Sequence, residues 1–242
     1  MIRVPQFLLG FVMAHMVFVA HAAPSCILPE KAESGYDYNT NRDSYGKNDS
    51  ATTDYYKLAI NWSGAHCAEK AKEIENLKKK GKFEAAETVR NRNAFQCFSN
   101  NKFGWILHGL WAQTCNGKNW EDCRDWKAIQ THPRLCRGDL PAVDYEEIKS
   151  HLCQSPGAAL LQGEWEKHGA CNFASASEYF SRQGQLFADL SLPESRLPDK
   201  ELLQWLKEKN PSLADKEIQI DGNEFYVCYD VNFTPMSCPP LE

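Results

Sequence analysis

Two stretches of this chain concentrate side chains that move protons. The first is Trp105-Ile106-Leu107-His108-Gly109-Leu110-Trp111 and the second is Glu164-Trp165-Glu166-Lys167-His168-Gly169-Ala170-Cys171. Histidine titrates within the physiological range, so either imidazole could act as a general acid or base. Taken alone, His108 at the end of an apolar run reads first as a satisfied core histidine. The second stretch is more telling. On a helix, Glu164, Lys167 and His168 fall at i, i+3 and i+4 on one face, and Gly169 suits the position just past a helix end. His168 then sits in the last turn, where the dipole and Glu164 favour its charged form and Lys167 opposes it. That predicts a histidine exchanging a proton at mildly acidic or neutral pH. The plain alternative is a surface Glu–His pair, which a disulfide at Cys171 would disfavour by pinning the helix end.

Two histidines, a carboxylate and a lysine, with no metal-ligand spacing, suit cleavage of RNA by its own 2′-hydroxyl. One histidine takes the 2′-OH proton and the other protonates the departing 5′-oxygen, while the lysine stabilises the extra charge of the phosphorane. No cofactor and no metal is needed, because the nucleophile belongs to the substrate.

The elements that must position these groups are legible in outline. Residues 29–54 are polar without an apolar period, which predicts a loop or extended arm. Tyr55 to Trp62 predicts a strand, and Phe103 to Leu107 a short buried one. Ala68 to Ala94 reads as two helices broken at Gly81, with Lys78-Lys79-Lys80 as a solvated face rather than an RNA contact. Residues 115–142, with three cysteines, predict a stapled loop region. Helices are expected over Tyr145 to Leu152, Pro156 to His168, Ser177 to Asp189 and Asp199 to Lys209. A final hairpin is expected from Glu217–Asp221 and Glu224–Asp230 around Gly222. One α+β domain with a central antiparallel sheet, surrounding helices and several disulfides is the simplest sum.

The chain has 242 residues, ten cysteines and a formal charge of −5. A broad basic face for duplex DNA is therefore not expected. Residues 1–22 read as a secretory signal, with Arg3, an apolar run from Phe7 to Val19, and Ala20-His21-Ala22 as the cleavage site. The mature domain, residues 23–242, then keeps all ten cysteines and should be exported, without a membrane anchor, into an oxidising space. That space is extracellular or periplasmic, or endolysosomal in a eukaryote. Asn48, Asn61 and Asn232 begin N-x-Ser/Thr sequons, a weak pointer to glycosylation.

His108-Gly109-Leu110-Trp111, followed by Glu164-Trp165-Glu166-Lys167-His168-Gly169-Ala170-Cys171, resembles the two active-site motifs of the ribonuclease T2 family. The likeness runs from about Tyr55 to Cys238, and the second motif is the more specific. The resemblance implies a secreted acid endoribonuclease with broad base preference. It would act as a monomer on single-stranded RNA, give 2′,3′-cyclic phosphates and then 3′-phosphates, and spare DNA. It implies His168 as the base of the first step, His108 as the acid, and Glu164 and Lys167 as stabilisers of the transition state. Trp111 would stack on a base, unless it is merely core. The family's cysteine pattern implies Cys123–Cys171, Cys228–Cys238 and Cys67–Cys153, and leaves Cys26, Cys97, Cys115 and Cys136 unpaired. Two positions depart from the family: Ala112 stands for a usual Pro, and Gly163 for an auxiliary phosphate-binding His. The acidic balance, which eases as pH falls, predicts best turnover below pH 7.

Gly163 is also the feature that most favours the alternative of a non-catalytic secreted binding or toxic module on the same fold. A third reading, a metal-dependent hydrolase using His108, His168 and Glu164, lacks the His-Glu-x-x-His spacing.

Overall fold

The computed structural model describes residues 26–242 apart from 32 and 34; the expected leader, residues 1–22, lies outside the described residues. The sheet is antiparallel throughout. Its strands are β1 (Tyr55–Trp62), β2 (Trp105–Gln113), β3 (Gln219–Asp221), β4 (Glu224–Tyr229) and β5 (Pro235–Met236), in the order β2-β1-β4-β3, with β5 also on β4. Around it lie α1 (Ser63–Lys79), α2 (Phe83–Arg92), α3 (Ala94–Cys97), α4 (Tyr145–His151), α5 (Ala158–Lys167), α6 (Ala176–Ala188) and α7 (Asp199–Lys209). The α+β expectation holds, and most boundaries fall within a residue or two of the apolar periods that predicted them.

Each face of the sheet has its own job. Leu58 and Ile60 of β1, Leu107 and Leu110 of β2, and Phe225 and Val227 of β4 join Leu161, Trp165, Tyr179 and Phe180 of the helices in one core. Burying each such side chain is worth about 1.5–3 kcal/mol. The opposite face carries Lys57, His108, Trp111, Gln113 and Tyr226, and looks into a cleft of about 600 Å³.

β2 corrects one expectation. It runs nine residues rather than stopping at Leu107, so His108 is interior to a strand, not at its end. The pairing with β1 skips it: Ala59 opposes Gly109 and Ile60 opposes Leu107. His108 is thus the extra residue of a β-bulge, and the bulge reverses the alternation. Leu107 and Leu110 both reach the core, while His108, Trp111 and Gln113 share the cleft.

All ten cysteines are paired, but only Cys228–Cys238 is a partnership that the family pattern implied. Cys67 lies on α1 and meets Cys97 at the end of α3, instead of Cys153; the latter meets Cys26 of the N-terminal arm. Cys123 pairs with Cys115 and Cys171 with Cys136, rather than with each other. The reason is proximity. The 115–123 loop closes on itself with Cα atoms 4.8 Å apart, while the turn through Cys136 docks on the end of α5. These bridges fit an oxidising compartment. Among the described residues, no helix is long and apolar enough to cross a membrane. Of the three sequons, Asn48 has its amide engaged with the Gln130 and Thr131 carbonyls, and Asn232 is exposed.

Candidate active site

Glu164 is the centre of the cleft. Its carboxylate is 1% exposed and sits between the two histidines: Oε1 is 3.8 Å from His108 Nε2, and Oε2 is 4.0 Å from His168 Nε2. Lys167 Nζ donates to Oε1 at 2.7 Å, and the Trp111 indole N–H donates to Oε2 at 2.6 Å. Burial works against this charge. The neighbouring cations and the lysine hydrogen bond win, and hold the carboxyl down at about 2. It is therefore an anion at any working pH.

Gly109 is what lets Glu164 approach. A Cβ there would lie 2.1 Å from Glu164 Oε2 and 2.8 Å from Trp111 Nε1, so any side chain would displace the carboxylate. Trp111 is not core. Its ring lies 5.1 Å from that of His108 and 5.6 Å from that of His168, on the cleft face.

The helix-face argument correctly brings Glu164, Lys167 and His168 together, but α5 ends at Lys167 and His168 is its C-cap. The chain then tightens into a short turn over Gly169–Cys171. Leu135 donates its N–H to the Lys167 carbonyl at 3.0 Å, and Cys136–Cys171 staples the same corner. Leu135 takes a left-handed φ of 48°, a conformation that costs an L-residue about 1–2 kcal/mol and that this docking holds in place.

The expected proton affinity of His168 is overturned. Burial dominates; Glu164 pulls toward the cation, but Lys167, Arg134 and His108 push against it, and the ring's pKa falls to about 3. Its Nδ1 is buried with no partner. His108 shifts the other way. Burial opposes its charge too, but a hydrogen bond to Glu224 and the charges of Glu164 and Glu224 outweigh it, against Lys167, and raise its pKa.

Of the other described histidines, His132 also lines the cleft, its Nδ1 accepting from the Thr114 N–H and its Nε2 facing the Trp126 carbonyl, while His66 contacts Asn93 and His151 contacts Glu147.

Several groups in the site were not foreseen. Glu224 and Tyr226 come from β4, and Lys57, ion-paired with Asp125, from β1. Arg134 lines the cleft and is ion-paired with Asp43. Tyr38 of the arm donates to the same Asp43, and its ring covers Gly163, where a Cβ would lie 3.3 Å from Tyr38 Cδ2. The glycine thus makes room for a tyrosine, with a buried arginine nearby. Among the described residues, no group of three or more His, Cys, Asp or Glu side chains is arranged to hold a metal ion.

A profile of the Ribonuclease T2 family matches residues 53–219. A probable ribonuclease of Haemophilus influenzae is 38% identical over 205 residues, covering 85% of this chain and 68% of the relative. A ribonuclease of Aeromonas hydrophila is 27% identical over 146 residues, which span 60% of this chain and 47% of that protein. Among solved structures, an RNase-related protein from Calystegia sepium superposes with a TM-score of 0.51 at 18% identity, covering 78% of this chain and 92% of that one. Trichomaglin, described as a novel S-like ribonuclease, gives 0.50 at 16% identity, covering 79% and 94%. At these identities the structural likeness speaks for the fold.

Proposed function

Because the chain belongs to the ribonuclease T2 family, we propose that it is an exported endoribonuclease that cleaves single-stranded RNA without a metal. The observation that carries this reading is the pair of imidazoles facing one cleft with opposite proton affinities. His168, kept neutral, accepts the proton of the ribose 2′-OH. The freed oxygen attacks phosphorus, and the bond to the 5′-oxygen breaks as His108 delivers its Nε2 proton to it. Lys167 stabilises the charge on the non-bridging oxygens. Glu164 holds Lys167 and Trp111 in place and balances both rings. The product is a 2′,3′-cyclic phosphate. In a second step His108, now neutral, activates water and His168 returns a proton to the 2′-oxygen, leaving a 3′-phosphate.

DNA lacks the nucleophile and is spared. Trp111 offers a base a stacking surface worth about 1–3 kcal/mol, and a stacking contact tolerates all four bases. The cleft itself carries Lys57, Lys127, Arg134 and Lys167 beside the carboxylates of Asp125, Glu164 and Asp221, so its lining is not acidic overall despite the net negative charge. We read the protein as a monomer, exported by the leader of residues 1–22. The test is single-stranded RNA in excess EDTA, with the cyclic-phosphate ends followed beside a His168→Ala variant. Cleavage that persists in EDTA and is lost in the variant supports the reading. Loss on chelation, or a fully active variant, overturns it.

A further inference from the structure

The mechanism leaves without a part the carboxylate that touches the far nitrogen of the His108 ring. Glu224, the first residue of β4, places Oε1 2.6 Å from His108 Nδ1, and its Oε2 accepts the Tyr226 hydroxyl at 2.7 Å. The two residues belong to strands that are not neighbours, since β1 runs between β2 and β4. Adjacent strands lie about 4.8 Å apart, so a contact across β1 spans about 10 Å of backbone. The residue of β1 paired to both Gly109 and Tyr226 is Ala59, which shares the parity of Lys57 rather than that of the core residues Leu58 and Ile60. Glu224 itself is paired with Asn61, the next β1 residue on that face, so the imidazole and the carboxylate meet across the Ala59–Asn61 stretch. The bulge at His108 turns its ring to this face.

We propose that Glu224 is the positioning residue of His108: it accepts the Nδ1–H, sets the ring's orientation, and keeps Nε2–H aimed into the cleft for the departing 5′-oxygen. The proposal rests on reading His108 as the general acid. It also explains how one ring serves both steps. When Nε2 gives up its proton, Nδ1–H stays on Glu224, and Nε2 is left as the free base that the hydrolysis of the cyclic phosphate requires, with no ring flip. Tyr226 fixes the carboxylate from the far side, with the Lys57 ammonium 4.6 Å from its own ring centre.

The charged and titratable groups facing His108 are Glu164 and Lys167 of α5, His168 at its end, and Glu224 and Tyr226 of β4. Only Glu224 holds Nδ1. Glu224→Gln is isosteric and keeps an acceptor oxygen, so it separates charge from shape.

The experiment follows the His108 ring by NMR titration and the pH–rate profile, in wild type, Glu224→Gln and Glu224→Asp. The glutamine variant is expected to move the His108 titration and the basic limb of the profile together to lower pH, by about one unit. It should lower kcat by about tenfold or more with KM unchanged, and the aspartate variant should recover part of both. A glutamine variant that loses activity while the titration and the basic limb stay in place overturns the proposal, as does one that matches wild type. A wild type that does not cleave RNA overturns the ribonuclease reading instead, and the ring titration still reports whether Glu224 charges His108.

Discussion

His108 and His168 share a cleft, a carboxylate and an indole, and are held in opposite ways. His108 projects from a bulge within β2, an edge strand of the sheet, is 33% exposed, and has its Nδ1 taken by Glu224. His168 caps a helix, is 12% exposed, and has a buried Nδ1 with no partner. Burial pushes both rings toward neutrality. Both also feel Glu164 and Lys167; what separates them is the company each keeps beyond these, the Glu224 carboxylate at His108 and the Arg134 guanidinium at His168. A carboxylate one helical turn away is not enough to charge a histidine when the corner around it is dry and already positive.

The largest test of this asymmetry is to remove either ring. His168→Ala or His108→Ala should lower the cleavage rate by about 10²–10⁴-fold, with folding checked by circular dichroism. Glu164→Gln removes the charge both rings feel and frees Lys167. Loss of about 10²–10³-fold in kcat is expected, together with a basic limb displaced to lower pH, because His108 loses an anion that raises its pKa. Gly109→Ala tests the packing rather than the charge. Its methyl would displace the carboxylate by an ångström or so, for a loss of about 10²-fold while the thermal transition remains cooperative.

Replacing Cys136 and Cys171 with serine should act on one side only. Stability should fall by about 2–4 kcal/mol in denaturant melts. Water reaching the loosened end of α5 should then raise the acid limb toward the ordinary histidine value of 6.5, with the basic limb unmoved. If both limbs shift equally, the two rings are not held independently. The smallest effect is the shape of the wild-type profile. His168 works as a base only when neutral, and its lowered pKa keeps it so well below 6.5. His108 works as an acid only when protonated, and its raised pKa keeps it so above 6.5. The rate should therefore be highest through the mildly acidic range; a maximum above pH 8 contradicts the assignment of the two roles.

Local order was legible where one element carries the whole pattern. Glu164, Lys167 and His168 are brought together by the pitch of a single helix, and α7 and β1 begin and end where their apolar periods do. The His108–Trp111 pair was not legible in the same way. A spacing of three puts residues on opposite faces of a regular strand, and only the bulge against β1 brings them to one face.

Residue types and helical spacing, by themselves, determined the class of fold, the presence of two histidines with a carboxylate and a lysine, and the abundance of cysteine. Tertiary structure alone decided which cysteines meet, which histidine is charged, and that Glu224 reaches His108 across an intervening strand. The physical reason is range. Helix and strand periods act over a few residues, whereas burial, Coulomb forces and disulfide geometry depend on distances in space between segments that lie up to 127 positions apart in the chain.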